Sequence, residues 1–330
     1  MTRPNYLFGF QVVGPVSETR RLVDAAAAFS AHCGADPRSD PHCEIYLSAF
    51  RFGADFREYL EARRTTKGFA GSCWSPWLWF DFDHPDDIEA ALRDARKLAG
   101  FVLERYPTLD EEALLYFFSG RKGYHIGVPL VHNPDPSPVF HLIARRLAEG
   151  LAPSAGVRID SAIYDRVRCF RAANSTHPKT KLHKRRLTHA ELFGPTSARI
   201  VELAQEPAPF EVPGVGEMSA ELESDWHEAG EAIGRETAAR IGRPHPGRLQ
   251  QATTEFLTSG AEEGERHPRL FRAAADMAEL AGVRGLDSLI HALLTDPALD
   301  TGLSPSEVER QIRCGIEHGQ RQAAQTGGAS

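Results

Sequence analysis

Two stretches decide how this chain is expected to fold: WLWFDFD at residues 77–83 and SGRKGYHIGVPL at residues 119–130. The first is an aromatic run that ends in two carboxylates, Asp81 and Asp83. Side chains two positions apart share one face of a strand, so both acids are expected on the same side. The second stretch is a glycine turn that carries arginine, lysine and histidine and leads into apolar residues. Acids that suit a metal, beside donors that suit an anion, predict a metal-dependent phosphate site.

The segments around these stretches alternate between strand and helix patterns. The turn at 120–123 joins two apolar runs and predicts a hairpin. Upstream, Ser17 is the predicted N-cap of a helix. This order of elements predicts an α/β fold whose sheet is at least partly antiparallel. The strands are expected at 7–13, 44–48, 77–83, 113–119, 124–131 and 185–188, and the helices at 17–31, 52–64, 86–103, 138–151 and 189–192.

The C-terminal part of the chain has a different, helical pattern. Three prolines between 205 and 216 indicate a linker. Ser304, Pro305 and Glu307 form a typical helix start, with the serine as cap and the glutamate three residues later. We therefore expect a first domain at 1–204, a linker or irregular segment at 205–250, and a small all-α domain at 251–330.

Composition sets the broad class of protein. The chain has 330 residues, of which 42% are hydrophobic and 25% charged, as in soluble globular proteins long enough for two domains. It has no membrane-length apolar run and no signal-like N-terminus, so a cytoplasmic protein without membrane contact is expected. Its five scattered cysteines indicate reduced thiols.

The net charge of −7 conceals a basic stretch from Arg158 to Arg186, with nine Lys or Arg against two acids. Such a stretch is more often a solvated surface, but it can also contact a polyanion. Asp160 supplies a third carboxylate, and two metal ions roughly 4 Å apart need about that many. Arg168 and Arg171 flank Phe170, and a polar, cationic loop follows them.

Together, Asp-Phe-Asp, Ser-Gly-Arg-Lys-Gly-Tyr-His-Ile and the downstream apolar-Asp with Arg-x-Phe-Arg resemble the three motifs of the archaeo-eukaryotic primase superfamily, over roughly 77–188. The resemblance implies an α/β module plus an RRM-like mixed sheet, followed by the small all-α domain. It also implies a catalytic, metal-binding set of Asp81, Asp83 and Asp160. The implied nucleotide-binding residues are Ser119, Gly120, Arg121, Lys122, Gly123, His125, Arg168 and Arg171, with Arg121 and Lys122 sharing one role.

A second resemblance, to the helical module that follows many primase-polymerases, covers the segment around Arg266, His267 and Arg269. Helix capping explains these residues equally well. Nucleic-acid contacts are expected from Asn174, His177, Lys179, Lys184, Arg185, Arg266 and Arg269. Many members of the superfamily hold zinc. Here His32-Cys33 and His42-Cys43 lack a CxxC pair, so zinc is not expected.

The resemblance implies a primase or DNA polymerase that uses two Mg²⁺ or Mn²⁺ ions, a DNA template and primer, and dNTPs or NTPs. A helicase or another replication protein could act in trans. One alternative is a nucleotide-sugar glycosyltransferase, whose Asp-x-Asp also holds a metal. Another is a non-catalytic protein that binds single-stranded nucleic acid, whose binding would be salt-sensitive and metal-independent.

Overall fold

The computed structural model describes residues 5–214, 216–241, 249–281 and 286–326. By its internal contacts the chain divides into two compact units, Met1–Gly234 and Arg235–Ser330. The first unit combines helices with two sheets whose strand pairs are all antiparallel, whereas the sequence predicted one sheet that is at least partly antiparallel and the resemblance implied a mixed sheet. Its elements in chain order are β1 Phe8–Val13, β2 Arg21–Asp24, α1 Ala25–Cys33, β3 Ile45–Ser48, β4 Arg51–Phe52, α2 Ala54–Arg63, β5 Cys73–Trp74, β6 Trp77–Asp83, α3 Ile88–Arg105, β7 Leu115–Phe118, β8 Gly123–Pro129, α4 Phe140–Ser154, β9 Cys169–Arg171, β10 Arg185–Leu187, α5 His189–Phe193, α6 Ser197–Leu203 and the start of α7 Ala220–Ile241.

One sheet has the strand order β5-β4-β1-β3-β9, and β2 also pairs with β1. The helix predicted at 17–31 is shorter in the structure, because residues 21–24 pair with β1 instead. Asp24, rather than Ser17, caps α1 by accepting a hydrogen bond from the backbone N–H of Ala27. Leu22 and Val23 favour a strand, and Asp24 supplies the N-cap. The helix therefore starts after β2, at Ala25, and not at residue 17.

The other sheet has the order β10-β7-β8-β6. It contains the strand that ends in Asp81 and Asp83 and the strand that follows the glycine turn. The β7–β8 hairpin forms as predicted, and β8 pairs with β6 along its whole length. Leu78, Phe80 and Phe82 point to one face of β6 and are fully buried, on the side where α3 packs. The odd-numbered residues of β6 therefore share the opposite face.

The first unit extends beyond the predicted boundary at residue 204. Phe210 donates its backbone N–H to the carbonyl of Cys33, and its ring lies 5.8 Å from that of Phe117. In α7, Trp226 packs against Phe140, with ring centroids 4.9 Å apart. The segment that its prolines predicted to be a linker thus contributes side chains to the core. Burial of its aromatic residues stabilises this packing.

The second unit is helical, as predicted, and has its own apolar core. The reciprocal capping expected at Ser304 is present: Ser304 Oγ accepts a hydrogen bond from the backbone N–H of Glu307, and the Glu307 carboxylate accepts one from the backbone N–H of Ser304. Within the part of the chain that the structure describes, no helix has the length and apolarity to cross a bilayer. The remaining helices are α8 Gln251–Ser259, α9 Arg266–Ala281, α10 Asp287–Asp300 and α11 Pro305–Thr326.

Candidate active site

Three carboxylate residues from separate parts of the chain meet at the end of β6. Asp81 and Asp83 lie on the same face of the strand, opposite His125 and Gly123 of β8. Asp160 is 77 residues beyond Asp83, yet its backbone N–H donates to the carbonyl of Asp81 over 3.0 Å. The structure therefore brings together the three acids that the motifs selected.

Asp81 lies in an unusual electrostatic environment for an acid. Its side chain is 13% exposed, and its Oδ1 atom is buried without a hydrogen-bond donor among the described residues. Burial raises the pKa of Asp81 to about 7, and the negative charges of Asp83 and Asp160 add to the effect. An uncompensated carboxylate beside two others is a place where a bound cation would relieve repulsion and desolvation.

The glycine turn holds a tight geometry directly beside these acids. Ser119 donates its backbone N–H to Gly123 O, and its Oγ accepts a hydrogen bond from Gly123 N. A Cβ at Gly123 would lie 2.4 Å from an oxygen of Asp83, and Gly120 has φ +87°. A side chain at Gly123 would clash with the acid strand, and at Gly120 only glycine adopts this positive φ without strain. The two glycines therefore allow the turn and the acid strand to approach each other closely.

Cationic side chains surround the acids in one open cleft of about 730 Å³, including its mouth. Lys122 Nζ lies 2.8 Å from Asp83 Oδ2. Arg171 donates to Thr176 O and to the Tyr46 hydroxyl, and its guanidinium lies 4.8 Å from the Tyr46 ring centre. Arg121 and Arg168 also line the cleft and are exposed. A cleft with this lining can hold a polyanion such as a triphosphate.

Two histidines complete the wall of the cleft. His125 Nε2 lies 3.4 Å from Asp81 Oδ1, and burial, with Lys184 and Arg171 adding to it, lowers the pKa of His125 well below the usual value. Burial also lowers the pKa of His177 to about 4, assisted by Arg171 and Arg121. Both rings are therefore neutral near pH 7, and each has one N–H that can donate a hydrogen bond.

Two residues of this region have positions that sequence reasoning did not find. Tyr46, on β3, reaches the cleft from the other sheet, and no motif in the sequence marks it. Lys184, expected at a nucleic-acid surface, is 2% exposed. Its ammonium donates to Arg171 O and lies 4.0 Å from the ring centre of Phe170. Burial lowers the pKa of Lys184 to about 7, and the side chain lies behind the cleft, where it is not accessible to a nucleic acid.

Three other residues of the first unit that were expected to bind nucleic acid do not line the cleft. Asn174 is fully buried, and its side-chain amide bonds the backbone of His32, Cys33 and Ala208. Arg185 is paired with Glu191, whereas Lys179 is exposed. Asn174 therefore has a structural role. Arg266 and Arg269 belong to the second unit, where Arg269 pairs with Glu265.

A divalent cation such as Mg²⁺ requires several oxygen donors close together. Among the described residues, no three His, Cys, Asp or Glu side chains already form a group that could enclose a metal ion. Asp160 Oδ1 accepts a hydrogen bond from Ala162 N at the start of a short 3-10 turn. The buried, donor-free oxygen of Asp81 and the neighbouring acids nevertheless fit hard cations such as Mg²⁺ and Mn²⁺. The expectation that zinc is absent stays a prediction.

Comparison with known proteins gives few matches. No protein-family model matches the chain. No curated protein matches it either. Among solved structures, the chain is similar to the crystal structure of primase RepB', with a TM-score of 0.37 and 14% identity over 98% of this chain and 95% of that chain.

Proposed function

We propose that the chain is a metal-dependent, template-directed nucleotidyltransferase that makes or extends nucleic-acid primers. The observation that carries this proposal is that Asp81 and Asp83 line a cationic cleft while Asp160 is held beside Asp81 by a backbone hydrogen bond. Phosphoryl transfer depends chiefly on positioning and charge stabilisation, so carboxylates, cations and phosphate donors suffice without a covalent nucleophile.

The proposed substrate is a nucleoside triphosphate whose phosphates lie against the glycine turn. Ser119 and the turn backbone would orient it, while Lys122, Arg121, Arg168 and Arg171 would neutralise its charge. The neutral ring of His125 would donate one hydrogen bond to a phosphate oxygen. These side chains surround one cleft, so a single ligand can meet all of them.

In the proposed reaction, a 3′ hydroxyl forms a bond to the α-phosphorus, the bond between the α- and β-phosphates breaks, and pyrophosphate leaves. Asp81, Asp83 and Asp160 would hold two divalent cations, which would stabilise the charge on the transferred phosphate and favour ionisation of the attacking hydroxyl. Lys122, beside Asp83, would keep positive charge next to the phosphates. DNA is the proposed template, and a helicase partner stays a prediction.

The test is primer extension on a poly(dT) template with labelled dATP or ATP, with and without an oligo(dA) primer, in Mg²⁺ or Mn²⁺. We expect incorporation by the wild-type chain and a loss of about a thousandfold or more in Asp83→Ala. Asp86→Asn, an exposed acid three residues further on, is the matched control and should leave incorporation unchanged.

The same preparation distinguishes the other functional classes. Metal-dependent hydrolysis of UDP-glucose without incorporation would indicate a glycosyltransferase instead. Salt-sensitive binding of oligo(dT) with no incorporation under any metal would indicate a non-catalytic binder. Either result would overturn the proposed function, as would full activity in Asp83→Ala.

A further inference from the structure

Tyr46 lies in the wall of the cleft, directly beside Arg171 of the neighbouring strand. The two residues are opposite each other in the antiparallel pair of β3 and β9, so their side chains share one face of the sheet. The guanidinium of Arg171 lies 4.8 Å from the ring centre of Tyr46, and its Nη2 donates to the Tyr46 hydroxyl over 3.0 Å. One tyrosine therefore contacts Arg171 with both its ring and its hydroxyl.

The hydroxyl of Tyr46 also links Arg171 to Glu44, a residue that does not line the cleft. It donates to Glu44 Oε1 over 2.6 Å. A guanidinium only donates and an ionised carboxylate only accepts, so these hydrogen bonds run in one direction, from Arg171 through Tyr46 to Glu44. Burial, together with the bond to Glu44, raises the pKa of Tyr46 to about 12, so the phenol keeps its proton. Charged groups at both ends strengthen such a chain.

A second contact fixes the other terminal nitrogen of Arg171. Its Nη1 donates to the carbonyl of Thr176 over 3.1 Å. Thr176 is itself held in place, since its backbone N–H donates to Cys43 O and its hydroxyl to His42 O. Each terminal nitrogen of a guanidinium carries two N–H groups, so one on each remains for a ligand in the cleft.

The other arginines of the cleft are held differently. Arg121 and Arg168 are exposed, whereas Arg171 is half-buried between the Tyr46 ring and a backbone carbonyl. A flexible side chain loses conformational entropy when a ligand fixes it, and a side chain that is already ordered avoids most of that loss. Arg171 is therefore the guanidinium best prepared to meet a phosphate group.

We infer that Tyr46 is a positioning residue of the nucleotide site, which holds Arg171, with the support of Glu44, in the geometry that binds a phosphate group of the triphosphate. Tyr46 acts through Arg171, whose N–H groups make the contact. The inference rests on the proposed function for the identity of the ligand. It adds the residue that orients the guanidinium.

The test is calorimetric titration of the full chain, in Mg²⁺ buffer, with inorganic tripolyphosphate, which has the phosphates of the proposed substrate without its base and sugar. Tyr46→Phe keeps the ring and removes the hydroxyl, so we expect the affinity to fall about five- to tenfold. In primer extension this variant should raise KM for dATP by a similar factor and change kcat less than about twofold. Tyr59→Phe is the matched control and should change neither. The Tyr59 hydroxyl donates to Lys67 O over 2.6 Å and its ring lies 5.2 Å from the Arg63 guanidinium, outside the cleft.

A double-mutant cycle separates positioning from a general structural role. Because Tyr46 acts through Arg171, Tyr46→Phe should lower the affinity no further in an Arg171→Met background. Glu44→Gln keeps an acceptor for the Tyr46 hydroxyl but removes its charge, so it should lower the affinity about two- to threefold. Thermal unfolding checks that each variant folds. If Tyr46→Phe does not, the comparison of Glu44→Gln with Tyr59→Phe decides.

The inference is overturned if the wild-type chain binds no tripolyphosphate, or if Tyr46→Phe binds it as tightly as wild type. It is also overturned if Tyr46→Phe lowers the affinity equally with and without Arg171. Binding that depends on Tyr46, without incorporation under any metal, would overturn the proposed nucleotidyl transfer and support the role of Tyr46. Incorporation by Tyr46→Phe with an unchanged KM would overturn the inference alone.

Discussion

The two ends of strand β6 present the same face of one sheet to different chemistry. At one end, Asp81 and Asp83 stand among cations in an open cleft. At the other, Trp77 and Trp79 stand among aromatic rings in a mostly apolar cavity. The acid end opposes stability, since burial beside like charges raises the pKa of Asp81 to about 7. The tryptophan end supplies the buried surface that keeps those acids in place.

This contrast suggests a division of labour: substitutions at the acid end should remove activity, and substitutions at the tryptophan end should remove stability. A strained or desolvated functional site held by a buried, stabilising neighbour is a common trade-off in enzymes.

At the acid end, Asp160→Asn should lower primer extension by on the order of a hundredfold or more, because one of three cation-holding carboxylates loses its charge. The amide oxygen can still accept the hydrogen bond from Ala162 N, so the turn is retained. Asp110→Asn is the matched control, because Asp110 caps another 3-10 turn in the same way. Equal activity of the two variants would show that Asp160 is only a cap.

At the tryptophan end, Trp77→Leu should lower the free energy of unfolding by about 2–3 kcal/mol, since a buried ring is replaced by a smaller side chain. The extension rate should change less than threefold at temperatures where the variant is folded. Trp226→Leu, in α7, is the matched control for losing a buried indole outside β6. A large loss of activity in Trp77→Leu alone would break the proposed division.

Within the cleft, Lys122 and Arg121 can be separated by their KM for the nucleotide. Lys122→Ala should raise KM about tenfold, because its ammonium lies 2.8 Å from Asp83 where the triphosphate is proposed to bind. Arg121→Ala should raise KM only two- to threefold, since that side chain is exposed and its charge is screened. Lys97→Ala, on the exposed surface of α3, should have no effect. The reverse order would assign the phosphate contact to Arg121.

The smallest effect concerns the stability of metal-free protein. The pKa of Asp81 is raised in the folded state, so its contribution to stability is complete below the unfolded value near 3.8 and is lost as pH rises through about 7. In EDTA, Asp81→Asn should therefore gain stability over wild type between pH 5 and 8, by on the order of 1 kcal/mol. Chemical unfolding at the two pH values measures this. A difference that does not grow with pH would contradict the raised pKa.

Much of the local structure could be read from residue patterns. The glycine turn between two apolar runs predicted the β7–β8 hairpin, and the alternation in 77–83 placed both acids on one face. Prediction was less successful where burial outweighed a local signal. The prolines after residue 205 suggested a linker, but Phe210 and Trp226 pack into the core of the first unit. The basic stretch and its polar, cationic loop placed Lys184 and Asn174 at a nucleic-acid surface, but the structure buries both.

The sequence by itself determined which side chains share a strand face, where the hairpin turns and how the helix at Ser304 begins, because these depend on neighbours a few residues apart. Only the tertiary structure decided that Asp160 bonds to Asp81, that Tyr46 reaches the cleft, and that aromatic residues from both sheets enclose a cavity beside Arg51. Those relations join residues far apart in the chain, and they depend on how two sheets pack, which no local periodicity encodes.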